Sequence, residues 1–385
     1  MRVDAAGKVT FAGNNLVLNS ATLATQSVTV QSGLNYIVAF AGTGSVVLSG
    51  AAVATILGTG VNNQVFLKIT AATSSLTLTV AGSVTSARVS AVTYETAPRA
   101  ADDVDTGGSA FYGQRFDYGS AGLLGLLAET AATNAVVQSA FAASWTASRV
   151  TLTPAFAAGP DGQTSAARIL SDATASNTHF VQQGGSYTSG LTYTLSAIFH
   201  QSGPFNWCRL AYPSSAFGTA YVGYFDVLNG VVGVVTSGAS AKITALPGGF
   251  FLCELTATAT TTTTGNYIVS IIQTNNVASF NGDSATAVLA WGAQIEARSW
   301  ASSRIITGTA GVTRAGDTLS AALYSSNPAI IQYRAAATRT RARKKLATWS
   351  TVSAETDKWL EAIRIYPVGT SNQYLDAHLA VDGAW

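Results

Sequence analysis

Ala287-Val288-Leu289-Ala290-Trp291-Gly292-Ala293-Gln294-Ile295-Glu296 is the stretch whose reading decides the fold. Ala287, Leu289, Trp291, Ala293 and Ile295 occupy every second position and fall on one side of an extended chain. Period two marks a strand with a buried face, because successive side chains of extended backbone point to opposite sides. The same alternation groups Tyr193, Leu195, Ala197 and Phe199, and again Phe251, Cys253, Leu255 and Ala257. In Leu76-Thr77-Leu78-Thr79-Val80 the apolar residues and the threonines take opposite sides. Long helical periodicity is nearly absent, and Gly, Ser, Asn and Pro clusters separate the strands. The expected class is all-β, built as a β-sandwich or jelly roll.

Length and composition narrow this further. At about 150 residues per domain, 385 residues make two or three domains. Charged residues are 10% of the chain, well below the ~25% of an average soluble protein. The mean hydropathy of +0.27 comes from Ala, Gly and Val broken by Thr and Ser. No stretch approaches the ~18 consecutive apolar residues of a spanning helix, so no membrane insertion is expected. Met1-Arg2-Val3-Asp4 leads into polar residues, so no secretory signal is expected either. A hydrophobic content of 48% fills a sizeable core and excludes disorder. A net charge of +2 gives no overall pull towards nucleic acid, and no nucleic-acid partner is expected. Cys208 and Cys253 are too few for a disulfide-built scaffold or a cysteine zinc cage; they are buried small hydrophobes or neighbours across strands. His179, His200 and His378 lie far apart, so neither a cofactor nor a metal is expected.

Three regions separate. Residues 1–95 carry almost no charge and several short strands, at 27–30, 45–48 and 65–69. Residues 96–108 hold Pro98, Asp102, Asp103, Asp105 and the pair Gly107-Gly108, and read as a solvated linker. Residues 109–318 contain Trp145, Trp207, Trp291 and Trp300, and residues 319–385 contain the other tryptophans with a basic run. Near the end, Ser371 is placed to cap a short helix over 372–381. The threonine-rich tract 256–264 reads as a strand running into an exposed turn at Gly265-Asn266.

Phrases in the middle region carry a resemblance. Gly122-Leu123-Leu124-Gly125-Leu126-Leu127-Ala128-Glu129 through Thr133-Asn134 resembles the opening of a jelly-roll module common in bacteriophage tail-fibre and other virion proteins. Phe141 with Trp145, the turn Gly159-Pro160-Asp161-Gly162, Tyr193-Thr194-Leu195-Ser196 and Phe225-Asp226-Val227-Leu228-Asn229-Gly230 follow in that module's order. Trp291-Gly292-Ala293-Gln294-Ile295-Glu296 is the strongest match, and Val312-Thr313-Arg314-Ala315-Gly316-Asp317 is similar to the module's exit. The resemblance spans about half the chain. Further on, Trp359-Leu360-Glu361-Ala362-Ile363-Arg364-Ile365-Tyr366-Pro367 followed by 371–380 looks like the last strand and closing helix of a laminin-G or concanavalin-like sandwich, in a region too short for the whole of one.

The expected architecture is then a multidomain all-β chain: an N-terminal β domain (1–95) for virion attachment, a linker (96–108), a central jelly-roll sandwich (109–318) and a C-terminal β module with a short helix (319–385). The resemblance implies a non-enzymatic structural virion protein of a tailed bacteriophage, assembled in the host cytoplasm and exposed on the particle. It implies a fibre or spike subunit, homotrimeric, with other virion proteins as partners, contributing to attachment to host-surface polysaccharide. A head-fibre, decoration or baseplate component without a receptor role is the alternative, and a capsule depolymerase a more distant one.

Candidate contact residues follow from aromatic and basic clusters. Trp207, Arg209, Tyr212 and Tyr224 offer flat rings and a guanidinium to a glycan, with Asn206 as a hydrogen-bonding neighbour; a well-filled core explains the same rings. Alternation sets Tyr224 opposite Phe225, so one of them faces solvent. Arg339, Arg341, Arg343 and Lys345 share a face if 338–346 is a strand. That face would hold phosphates or acidic sugars, or would simply be a solvated edge whose charges discourage aggregation, the preferred reading. No catalytic constellation is visible: Asp102, Asp103 and Asp105 sit in the linker, and Glu254 with Asp226 is the one conceivable glycosidase pair.

Overall fold

Alternation is realised as extended, antiparallel backbone almost throughout. In the computed structural model the residues described are 14–71, 73–92, 106–108 and 129–316, with paired backbone at 2–3, 9–10, 111–112, 116–119, 122–127, 318–319, 329–335, 341–346, 352–353 and 359–367. The chain is all-β, as the sequence predicts, and its strands form several antiparallel sheets.

The first strands are Gln26–Thr29 (β1), Asn35–Gly42 (β2), Ser45–Gly50 (β3), Ala54–Leu57 (β4), Gly60–Lys68 (β5), Ser75–Ala81 (β6) and Thr85–Val92 (β7). They make two sheets, β1-β6-β3-β4 and β7-β2-β5. Val28, Phe40, Val46, Leu48, Leu76, Leu78 and Val89 fill one core cluster. The threonines that alternate with Leu76 and Leu78 stay outside, and Thr77 meets Ser27 at 2.8 Å across the strand pair. The far end of the expected linker is pinned here: Thr106 is buried, and its hydroxyl donates to the Val17 carbonyl at 2.6 Å. Asp102, Asp103 and Asp105 lie outside the described residues, as does the expected helix at 372–381.

A second, larger body follows. Its strands are Thr146–Ser148 (β8), Val150–Ala158 (β9), Thr164–Ser171 (β10), His179–Tyr187 (β11), Thr192–Gln201 (β12), Trp207–Ala211 (β13), Val222–Asp226 (β14), Val231–Val235 (β15), Ser240–Ala245 (β16), Phe251–Thr258 (β17), Thr263–Ile272 (β18) and Ala287–Glu296 (β19). They form two six-stranded sheets, β8-β11-β18-β13-β14-β15 and β9-β10-β19-β12-β17-β16. Inward residues of both sheets share one cluster, including Tyr193, Leu195, Ala197 and Phe199 from β12 and Cys253, Leu255 and Ala257 from β17. Phe141 stacks on Trp145, with ring centres 4.5 Å apart, and Trp145 meets the edge of Tyr267. Outward-facing threonines pair across strands β12 and β17, Thr194 with Thr256 at 2.8 Å and Thr192 with Thr258 at 2.9 Å.

Two sequence expectations change here. Gly265 and Asn266 do not form the turn after the threonine tract; they lie within β18, opposite Gly185 and Gly184. Gly265 is needed in the strand because a Cβ there would sit 2.7 Å from the Pro213 ring.

The second change concerns β19. Ala287, Leu289, Trp291, Ala293 and Ile295 do not share a face. Gly292 adopts φ +60°, and the pairing with β12 slips between Ser196 and Ile198. Such a bulge inserts an extra residue and reverses the inward–outward phase beyond it. Val288 and Ala290 before it, and Ala293 and Ile295 after it, face the space between the sheets. Trp291 turns to the outer side of the second sheet, where it is 2% exposed and packs with Ile198 and Phe250. It is sealed there by Leu246, Leu252 and Ile306. Ile306 also packs against the N-terminal core, and the Gln31 side chain donates to its carbonyl, so the exit segment touches both bodies.

Gly292→Ala should therefore destabilise the fold by about 1–2 kcal/mol, since an L-residue at positive φ is strained and its Cβ would lie 3.3 Å from Arg304 Cδ. Urea unfolding with an unchanged midpoint would contradict the bulge.

Candidate functional site

Two constellations stand out, one on the outer face of each large sheet. On the first sheet, Cys208 and Leu210 point inward, so Trp207 and Arg209 point out. Across the neighbouring strand Arg209 pairs with Tyr224 and Trp207 with Asp226, which places these side chains on one face. Phe225 fills the core, and Tyr224 takes the outer face at only 4% exposure, so neither ring is freely solvated. Arg209 Nη2 donates to Ser270 Oγ at 3.1 Å. The Trp207 ring lies over β15 because position 233 is glycine, where a Cβ would meet the ring at 2.6 Å. Trp207 is partly exposed.

Tyr212 does not join this row. It is in the core between the sheets, donates its hydroxyl to the Leu255 carbonyl at 3.2 Å and stacks on Phe217 at 4.4 Å. Burial pushes its phenol well above the ordinary value. The parity of the strand carries this distinction, because Tyr212 continues the Cys208–Leu210 side rather than the Trp207–Arg209 side. Asn206 is likewise occupied, donating to Asp226 at 2.5 Å. Asp226 also accepts from the Leu228 and Asn229 amides at 3.0 Å and so ties the hairpin 226–230. Burial pushes its carboxyl up, but hydrogen bonds from Asn229, Leu228 and Asn206 outweigh this and hold it below the ordinary range.

On the outer side of the second sheet, residues of 129–134, 291–296 and 301–314 meet one another. Asn134 satisfies its whole amide: Nδ2 donates to the carbonyls of Ala293 (3.0 Å) and Ile305 (2.8 Å), and Oδ1 accepts from the amides of Val136 (3.0 Å) and Ile295 (3.1 Å). Glu296 accepts from Gln294 Nε2 (2.6 Å), the Ser302 amide (2.8 Å) and Ser302 Oγ (2.6 Å). Glu129 accepts from the Ser303 amide at 2.8 Å and pairs with Arg314 at 3.2 Å. Glu254 accepts from the Ala301 amide at 3.0 Å. Arg304 is buried among them and donates to the Gly292 and Ser302 carbonyls at 2.9 and 3.2 Å. Burial lowers its affinity for the proton, and the charges of Glu296, Glu254 and Glu129 oppose that shift; a guanidinium stays protonated under such conditions. Most donors and acceptors of these side chains are spent on one another and on the backbone around them. Arg304 was missed in the sequence, where nothing but its proximity to the Trp291 phrase marks it.

The remaining candidates are dispersed. Glu254 and Asp226 lie on opposite outer faces, with the core between them, and do not flank a common cleft. Arg341–Leu346 is an edge strand paired with Ala329–Ala335, in a sheet that also contains Trp359–Pro367, Gly122–Leu127 and Phe116–Gly119. Arg341, Arg343 and Lys345 occupy alternate positions of that edge, and Arg339 lies outside the described residues. Among the described residues, no three of His, Cys, Asp and Glu converge on a position for a metal ion, and no helix is long and apolar enough to cross a membrane. Comparison with protein-family models and with curated proteins finds no match to this chain.

Asn134→Ala should cost roughly 2–4 kcal/mol in chemical denaturation, because several buried backbone groups lose their partner; a loss under 1 kcal/mol would contradict the seam. Asp226 and Asp283 are both held below the ordinary carboxylate value of 3.8, each by hydrogen bonds that outweigh the raising effect of burial. Their stabilisation is complete above that value and is lost as the pH falls through and below it. Acid unfolding followed by circular dichroism should steepen below about pH 4, and Asp226→Asn should flatten that profile while lowering stability at neutral pH. An Asp226→Asn protein with the wild-type acid profile would contradict this.

Proposed function

We propose that this chain is a non-enzymatic structural protein of a tailed-bacteriophage virion, a fibre or spike subunit that contributes to attachment at host-surface glycan. The observation that carries this reading is convergence. Glu129, Asn134, Trp291, Gly292, Gln294, Glu296 and Arg314 come from phrases far apart in the chain that resemble one virion jelly-roll module, and they meet in one seam. A chance likeness of scattered short phrases has no reason to assemble into mutual partners. In this reading the two six-stranded sheets are that jelly roll, the strands before residue 95 attach the subunit to other virion proteins, and the assembly is a homotrimer.

Glycan contact is assigned to the outer face of the first sheet. Trp207, Arg209 and Tyr224 lie there as cross-strand neighbours, and a part-exposed indole beside a guanidinium suits a sugar ring with its hydroxyls. The basic edge strand 341–346 is assigned a second contact, with anionic groups.

The test is equilibrium binding of the purified chain to polysaccharide from the host envelope, with mass spectrometry of purified particles for its location. Trp207→Ala should weaken binding tenfold or more, about 1.4 kcal/mol, with the thermal midpoint changed little. Equal binding by the variant would remove the glycan face, and new reducing ends would overturn the non-enzymatic assignment. Absence of the chain from particles would overturn the virion assignment.

A further inference from the structure

Cys208 and Cys253 come from opposite sheets, β13 and β17, yet both are 0% exposed in the same core cluster. Their thiols adjoin in that cluster, near enough for each to act on the other's ionisation, and are unbridged. The two strands bring Cα atoms within 8 Å across the core, closer than the ~10 Å usual between packed sheets. Small neighbours allow this approach: Cys253 sits beside Ala197 in its sheet, and Gly223 on β14 is adjacent to Leu255, where a Cβ would come within 3.1 Å. A cystine needs Cα atoms about 4.4–6.8 Å apart, a separation that facing strands already within 8 Å approach.

We propose that Cys208 and Cys253 form a redox-modification site, a latent disulfide that bolts the two sheets together when the protein meets a peroxide. The step is balanced. One thiolate attacks the peroxide O–O bond, becoming a sulfenic acid as the first water leaves. The second thiol sulfur then attacks the sulfenic sulfur, forming S–S and releasing the second water. The two sulfurs together lose two electrons and two protons, and hydrogen peroxide is reduced to two waters. Burial pushes the Cys253 thiol up, with contact from Cys208 adding to the shift, so thiolate is scarce and the reaction runs slowly at neutral pH and faster in alkali. Peroxide is small enough to enter as the sandwich opens locally. The inference does not rest on the virion assignment and holds wherever the protein resides.

The bridge would close a long loop, from β13 through β14, β15 and β16 to β17, and restrict the unfolded chain accordingly. The experiment treats the full chain with hydrogen peroxide, with and without urea below the unfolding transition, then labels free thiols under denaturing conditions and maps peptides. Both thiols should vanish together, with the mass lower by about 2 Da and the peptides containing Cys208 and Cys253 linked. The thermal midpoint should rise by roughly 5–10 °C and return on reduction. Cys208→Ala and Cys253→Ala proteins should show no such rise, and the linked peptide in the unaltered chain reads the bridge independently of whether either variant folds. Thiols that stay free in both conditions, that oxidise singly to sulfinic acid, or that link only between chains would each overturn the proposal.

Discussion

The larger body of this protein depends on a single backbone irregularity in its most buried strand. Gly292 at φ +60° reverses the phase of β19, a strand whose two faces are both interior. One face serves the core between the sheets. The other carries Trp291, whose burial removes about 200 Å² of aromatic surface from water, but only if something covers the outer side of the sheet. The turn 246–250 and the exit segment 301–307 are that cover, and Arg304 reaches the Gly292 carbonyl itself. Bulge, indole and cover are one device.

Covering a sheet with irregular chain creates a difficulty of its own. A loop lying over a sheet buries peptide groups that water no longer satisfies, at about 1–3 kcal/mol for each left unpaired. The seam answers this with side chains of the right reach. Asn134, Glu129, Glu254, Gln294 and Glu296 accept from or donate to the backbone of the strand and the loop. Three carboxylates around one buried guanidinium would be costly if any member were missing, because an uncompensated buried charge is far more expensive than a polar one. That constraint ties residues before the sandwich to residues after it, and makes the entry strand Ala132–Asn134 pair with Val312–Arg314 beside it.

Strand positions were legible in the sequence because alternation is a local property. The expected strand at 45–48 is observed as Ser45–Gly50, and the grouped residues of β12 and β17 do share the core. The bulge was not legible, since Gly292 reads like any other small residue until its cross-strand register is known. Residues of the seam stand out as motif letters, but their pairing does not: Glu129 and the Ser303 amide are 174 positions apart, and no local rule joins them. Tyr212 is an intermediate case. Its side of the strand follows from counting from Trp207, and strand parity rather than aromatic clustering decides its interior position. Gly265 shows the opposite limit, because a glycine beside an asparagine is the signature of a turn, and only the approach of Pro213 explains why it sits within a strand.

Hydrogen–deuterium exchange over peptides spanning 129–136, 287–296 and 301–307 tests most directly whether a covered, inverted strand organises the sandwich. Slow exchange of all these segments, with a common opening free energy near that of global unfolding, is the expected result. Fast exchange at 301–307 beside a protected 287–296 would mean that the indole lies under a loose flap, and would contradict the seam as the closure of the fold.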